Sequence, residues 1–193
     1  WASGAMSVLV ILFVITLLAD ISRRKKAESA SRRSAEIQSL LREIAVAAVT
    51  AGSMDELYAT VHRLIGKVLP AKLFHINLLD ESTNEIVVPF NADDVTVIPP
   101  RRPVDKGITE YIMQLGHAVH ITPEEMDRLI ENGEYTLAKV QKVETRHYLG
   151  APLIDSQGKP FGVLSLVQMG RTSVFQPDDV EVLSIIAAQV SLS

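Results

Sequence analysis

Between Ala5 and Ala51 the chain has neither a glycine nor a proline. These two residues are the ones that most often interrupt a helix, so a single helix can run through this whole stretch. Its beginning and end differ sharply in character. Residues 1–19 carry no charge, and their middle reads Val8-Leu9-Val10-Ile11-Leu12-Phe13-Val14-Ile15. A helix of that length rises roughly 28 Å, close to the hydrocarbon thickness of a bilayer. Residues 20–36 follow with six Lys/Arg against three acids, including Arg23-Arg24-Lys25-Lys26. We therefore expect a transmembrane helix at 1–19 with Trp1 at the far interface, a basic juxtamembrane linker helix at 20–36, and everything downstream on the cytoplasmic side of an inner membrane. A signal peptide would carry its basic residues before the apolar run, not after it. A buried core helix would keep a polar face.

Apolar or small residues recur through the linker at Ala27, Ala30, Ser34, Ile37, Leu41, Ile44 and Ala48, alternately three and four apart. That spacing is a coiled-coil seam, in which Ile37, Leu41 and Ile44 are large enough to pair helices in a homodimer. The competing expectation is that this later part packs on its own domain.

The chain has 193 residues and a net charge of -4. That charge speaks against non-specific nucleic-acid binding, and no nucleic-acid partner is expected. Cysteine is absent, which removes disulfides, thiolate metal sites and cysteine nucleophiles together.

Past Gly52 the punctuation becomes regular. Ser53 and Glu56 have capping-box spacing ahead of an apolar helix face at Leu57, Val61, Leu64, Ile65 and Val68. In a strand at 73–79, Phe74, Ile76 and Leu78 point to one side while Leu73, His75, Asn77 and Leu79 point to the other. A polar turn at 80–84 leads to a second strand at 85–90. Residues 91–104 hold three prolines and Arg101-Arg102 and read as loop, with a short strand at 95–98. A short helix at 107–115, a strand at 117–121 and a helix opened by Thr122, Pro123 and Glu125 come next. Strands at 148–154 and 161–168 flank a turn containing Gly158. Pro177 opens a last helix with an apolar stripe at Val180, Leu183, Ile186, Ala187 and Val190. That helix meets no stop signal before Ser193, so an output domain is expected beyond it, just as Trp1 suggests a chain cut from a longer one.

The run Tyr148-Leu149-Gly150-Ala151-Pro152-Leu153, then Gly158, Gly162-Val163-Leu164-Ser165-Leu166, Phe175 and Asp179-Val180-Glu181-Val182-Leu183 resembles the C-terminal half of a GAF domain. The resemblance extends over about 35–193, and the domain is placed at 37–193. It implies an α+β fold: an antiparallel sheet with the terminal helices on one face and, on the other, short helices and loops over a ligand pocket. It also implies a sensory module of a membrane-bound bacterial signalling protein, which binds a small molecule or dimerises to regulate a linked output such as a histidine kinase or cyclase. The alternatives are a purely structural dimerisation module and a cyclic-nucleotide-binding domain. For the last, Phe175 and Asp179 match the family's pattern, but Val180 stands where Glu is expected and no Asn-Lys pair precedes them. Bilin-carrying and methionine-sulfoxide-reducing relatives use cysteine, which this chain lacks.

On the implied pocket side, the candidate ligand-binding residues are His75 and Asn77, with Tyr111, His120 and Tyr148 added because each joins apolar area to a hydrogen-bonding group. No cofactor can be named. His117 and His120, three apart on a strand, fall on opposite faces and make a poor metal pair. No nucleophile elbow, phosphate loop or metal-ligand helix occurs, so the chain is read as non-enzymatic.

Overall fold

The computed structural model describes residues 2–92, 98–135, 146–170 and 172–192, with side chains from Ile15 onward. The chain divides into two compact units, Trp1–Ser39 and Leu40–Ser193.

The first unit is helical throughout its described part and belongs to α1 (Ala2–Thr50). Two ion pairs at helical spacing, Asp20–Arg24 at 2.9 Å and Arg32–Glu36 at 3.0 Å, decorate it. Both are exposed and add only a few tenths of a kcal/mol each. Among the described residues, no helix is long and apolar enough to cross a membrane. The described side chains contribute only 15–19 before Asp20 interrupts, about 7 Å of helix against a layer of roughly 30 Å. The side chains of 1–14 lie outside the described residues. Residues 1–19 are therefore not assigned as a transmembrane helix, and the expected inner-membrane location and membrane partnership fall with that assignment.

The second unit contains the end of α1 and the remaining elements: α2 (Met54–Ile65), β1 (Leu73–Asp80), β2 (Glu85–Asn91), β3 (Arg101–Pro103), α3 (Ile108–Leu115), β4 (Val119–Ile121), α4 (Pro123–Glu131), β5 (Arg146–Ile154), β6 (Pro160–Met169) and α5 (Asp179–Ser191). The strands form one antiparallel sheet in the order β3-β2-β1-β6-β5-β4. This is the expected α+β fold. The strand expected at 95–98 falls almost wholly on 93–97, outside the described residues.

β3 corrects an expectation, since 101–103 was read as loop. Its pairing is short, running Arg101 opposite Val87 to Pro103 opposite Glu85. An edge strand tolerates the terminal Pro103 because that position needs no ladder N–H. The two hairpin turns are closed by aspartates. Asp80 Oδ1 accepts from the Ser82 backbone and hydroxyl, and Asp155 Oδ1 accepts from the amides of Gln157 and Lys159. Asn84 (φ 55) and Gly158 (φ 82) take the left-handed conformations these turns require.

Cross-strand register assigns the two sheet faces, since directly opposed residues share a face. On one face Phe74, Leu166, Leu149 and His120 form a row, Ile76, Leu164 and Ala151 a second, and Leu78, Gly162 and Leu153 a third. The terminal helices cover it. His62 of α2 stacks on Phe74 with ring centroids 5.2 Å apart. α5 lies along β5 and buries Val182, Leu183, Ile186 and Ala187, and the Ser191 hydroxyl accepts from the Ile154 amide at 3.0 Å.

Leu40 and Ile44 of α1 are also buried within this unit, Ile44 completely. An isoleucine already fully covered in the single chain has no surface to offer a partner, which removes Ile44 from the expected dimer seam. Leu41 and Ile37 keep partial exposure.

Candidate functional site

The opposite face carries three rows: Leu73, Val167, Tyr148 and Ile121; His75, Ser165, Gly150 and Val119; and Asn77, Val163 and Pro152. α3 and α4 roof it. Ile112 from α3, Met126 and Leu129 from α4, and Tyr135 after it join Leu73, Ile121, Tyr148, Val163 and Val167 in one apolar cluster, with Tyr111 packed at its margin. His75, Asn77, Tyr111 and Tyr148 thus all lie on the α3/α4 side.

His120 does not. It shares a row with Phe74 and Leu149 on the other face, where its ring meets His147 and, edge-on at 5.5 Å, Phe175. The reason is register: β4 pairs with β5 so that His120 faces Leu149, and Val119 and Ile121 take the roofed side. His120 is therefore removed from the candidate pocket residues.

Polar groups buried inside this apolar layer define the site. His75, Asn77, Ser165 and Thr109 of α3 are all nearly fully buried. Among the described residues, the Ser165 hydroxyl is buried with no hydrogen-bond partner, a state costing about 1–3 kcal/mol unless water or a ligand supplies one. Its neighbours in the row are His75 and Gly150, and at Gly150 the missing side chain is what admits α3. A Cβ there would lie 2.4 Å from Ile112 Cδ1. Burial, with the neighbouring Tyr148 second, pushes the Tyr135 phenol up to about 12.

The roof is fastened at its ends. Arg102 forms a two-pronged ion pair with Glu110 of α3, 2.5 and 2.7 Å, and Glu110 also accepts from the Asp105 amide at 3.0 Å. Lys106 Nζ donates to the Gly133 carbonyl at 2.7 Å, joining the approach to α3 to the end of α4. The capping box expected at α4 forms, with Thr122 and Glu125 exchanging both bonds. Arg101 pairs with Asp80 and Glu85 at 3.2 Å each. The Ser82 hydrogen bond and then Arg101 hold the Asp80 carboxyl down at about 2. Arg101 and Arg102 therefore both face carboxylates. Among the described residues no three His, Asp or Glu side chains group as metal ligands.

Sequence reasoning missed Ser165 and Thr109. A lone polar residue in Gly162-Val163-Leu164-Ser165-Leu166 was the available signal, but its meaning depends on the register that sets Ser165 beside His75.

A model of the GAF domain family matches residues 53–193. Among solved structures, the chain is similar to the GAF domain of a phosphoenolpyruvate-protein phosphotransferase from Coxiella burnetii, at 16% identity over 81% of this chain and 91% of that one, TM-score 0.62. It is similar to residues 122 to 287 of a methyl-accepting chemotaxis protein, at 14% identity over 77% and 93%, TM-score 0.60. It is also similar to free methionine-R-sulfoxide reductase from Neisseria meningitidis in complex with its substrate, at 14% identity over 81% and 86%, TM-score 0.59. At these identities the likeness shows the fold alone. No curated protein matches the chain.

Proposed function

The chain belongs to the GAF domain family, and from that premise we propose that it is a sensory module that binds a small molecule between the sheet and its α3/α4 roof and conveys occupancy to a linked signalling output. The observation that carries this reading is the Ser165 hydroxyl, buried without a hydrogen-bond partner among the described residues in a row with His75. Buried polar groups are normally satisfied, and a ligand with its own donor or acceptor would satisfy this one. The lining suits a compact molecule with an apolar body and a few hydrogen-bonding edges, because Leu73, Tyr148 and Val163 surround the polar row. That the Neisseria reductase was solved with its substrate supports the capacity of this fold to hold a small molecule. We read this chain as non-catalytic, since its sequence has no cysteine, nucleophile elbow, phosphate loop or metal-ligand helix.

A ligand shifts such a module only by binding one arrangement better than another. α3 is the element positioned to differ, being held by Ile112 over Gly150 at one point and by Arg102–Glu110 at another.

A second reading, a structural dimerisation module, is favoured by Ile112 itself, which already fills the space above Gly150. Val46, Val49 and Met54, apolar and exposed at the α1–α2 junction, and the partly exposed Leu41 supply surface for a homodimer. The cyclic-nucleotide alternative draws no support from Asp179, which is buried and accepts from the Gln176 amide at 2.8 Å.

A thermal-shift screen of small hydrogen-bonding metabolites tests the first reading. A true ligand at about 100 times its Kd stabilises the native state by about 2.7 kcal/mol. Asn77→Leu should abolish the shift, and a library-wide absence of shifts favours the structural module.

A further inference from the structure

We propose that the molecule held between the sheet and the α3/α4 roof is anionic, with a carboxylate or phosphate group taken by Arg146 at the start of β5 and a body that runs toward Ser165. The inference rests on the pocket reading above and assigns that pocket's ligand a charge.

Register sets Arg146 on the roofed face. It lies opposite Met169 and two residues before Tyr148, which lies opposite Val167, so by strand alternation all four share one side of the sheet. Tyr148 and Val167 belong to the apolar cluster under the roof, and Met169 packs against it. The arginine itself is only half-buried. It therefore keeps access to water and escapes the cost of a lone charge in a dry interior.

The charges at this end of the cluster do not cancel. Burial, and then Tyr148, push the phenol of Tyr135 up to about 12, while Arg146 and Arg102 act on it in the opposite sense and Glu110 in the same sense. Arg102 and Glu110 offset each other through their two-pronged pair. Among the described residues no carboxylate lies within ion-pair distance of Arg146. One positive charge is left over. The Tyr135 phenol, which shares the cluster with Tyr148, stays protonated at neutral pH and offers an anion a donor rather than a second negative charge.

The chemistry of these groups selects the ligand's class. A guanidinium has donors only, in a planar fork that matches a carboxylate or a phosphate. A cationic ligand would be repelled there, and a neutral one would gain little over water. The other end of the ligand is set independently by the Ser165 hydroxyl, 3% exposed and without a partner among the described residues. Ser165 lies opposite Gly150, four residues along β5 from Arg146, or roughly 13 Å of strand. The arginine side chain covers part of that distance, which leaves the span of a single ring or a short chain over Tyr148 and Val167.

The test is a thermal-shift screen at pH 7.5 in low salt with matched pairs: benzoate against benzamide, indole-3-acetate against indole-3-acetamide, and phenyl phosphate against phenol. The acids or the phosphate ester should stabilise the protein and their neutral partners should not. In titration calorimetry Arg146→Gln should weaken the best anionic probe about tenfold or more, the loss expected for one charged hydrogen bond. Arg146→Lys should recover part of that affinity, which a purely structural role would not require. Neutral members that stabilise as well as the anions, or an Arg146→Gln protein that binds the anion as the wild type does, overturn the inference and leave the pocket reading standing. No shift from any member of any pair, together with none in the wider metabolite screen, overturns both.

Discussion

Ile112 of α3 stands directly on Gly150 of β5, with its Cδ1 2.4 Å from where a Cβ at 150 would be. The contact is possible only because residue 150 has no side chain, and it brings a helix within backbone reach of the polar row on the sheet. Gly150→Ala should destabilise the protein by about 1–3 kcal/mol, since Ile112 is fully buried and must shift. Ile112→Val removes the clashing methyl. The double variant should therefore be less destabilised than the two single effects combined, by at least about 0.5 kcal/mol in urea unfolding. A neutral Gly150→Ala would show that α3 does not rest there.

Glu110 fixes the start of that helix. Glu110→Gln loses the charge-assisted pairing with Arg102, for a cost of about 1–3 kcal/mol. Because Glu110 also receives the Asp105 amide, hydrogen exchange should rise in α3 before it rises in β1 or β6. Uniform acceleration across the domain would contradict a local fastening role.

Tyr135 gives an alkaline signature. Burial raises its phenol to about 12 from an ordinary 10, so the folded chain keeps a proton that the unfolded chain gives up. Stability from this group is complete below pH 10 and is lost as pH rises from there toward 12. The loss is on the order of 2 kcal/mol. Tyr135→Phe should flatten that part of the unfolding profile, with little change at pH 7. An unchanged alkaline slope in the variant would show that the phenol titrates normally.

How far the sequence specified this architecture differs from element to element. Period-two alternation placed Phe74, Ile76 and Leu78 on one face and His75 and Asn77 on the other, and the register agrees. The α4 start was legible because Thr122, Pro123 and Glu125 act within one turn, with no need of tertiary context. His120 was misplaced because a three-residue edge strand carries too little alternation to reveal its register. β3 escaped notice because its existence depends on β2 lying beside it. Ile44 had seam spacing, yet heptad spacing cannot distinguish a partner helix from the chain's own core, and here the core won. The apolar character of 1–19 was plain in the sequence, but the transmembrane assignment built on it does not stand, since no described helix is long and apolar enough to span a bilayer.

Native mass spectrometry of the protein purified without added ligand tests the central claim most directly. The account predicts a retained adduct of small-molecule mass on the wild type that is lost from Asn77→Leu, whose side chain replaces a hydrogen-bonding edge of the roofed row with an apolar one of similar size. An adduct held equally by both proteins, or bare chain mass in the wild type together with no stabilising compound in the thermal screen, would contradict it.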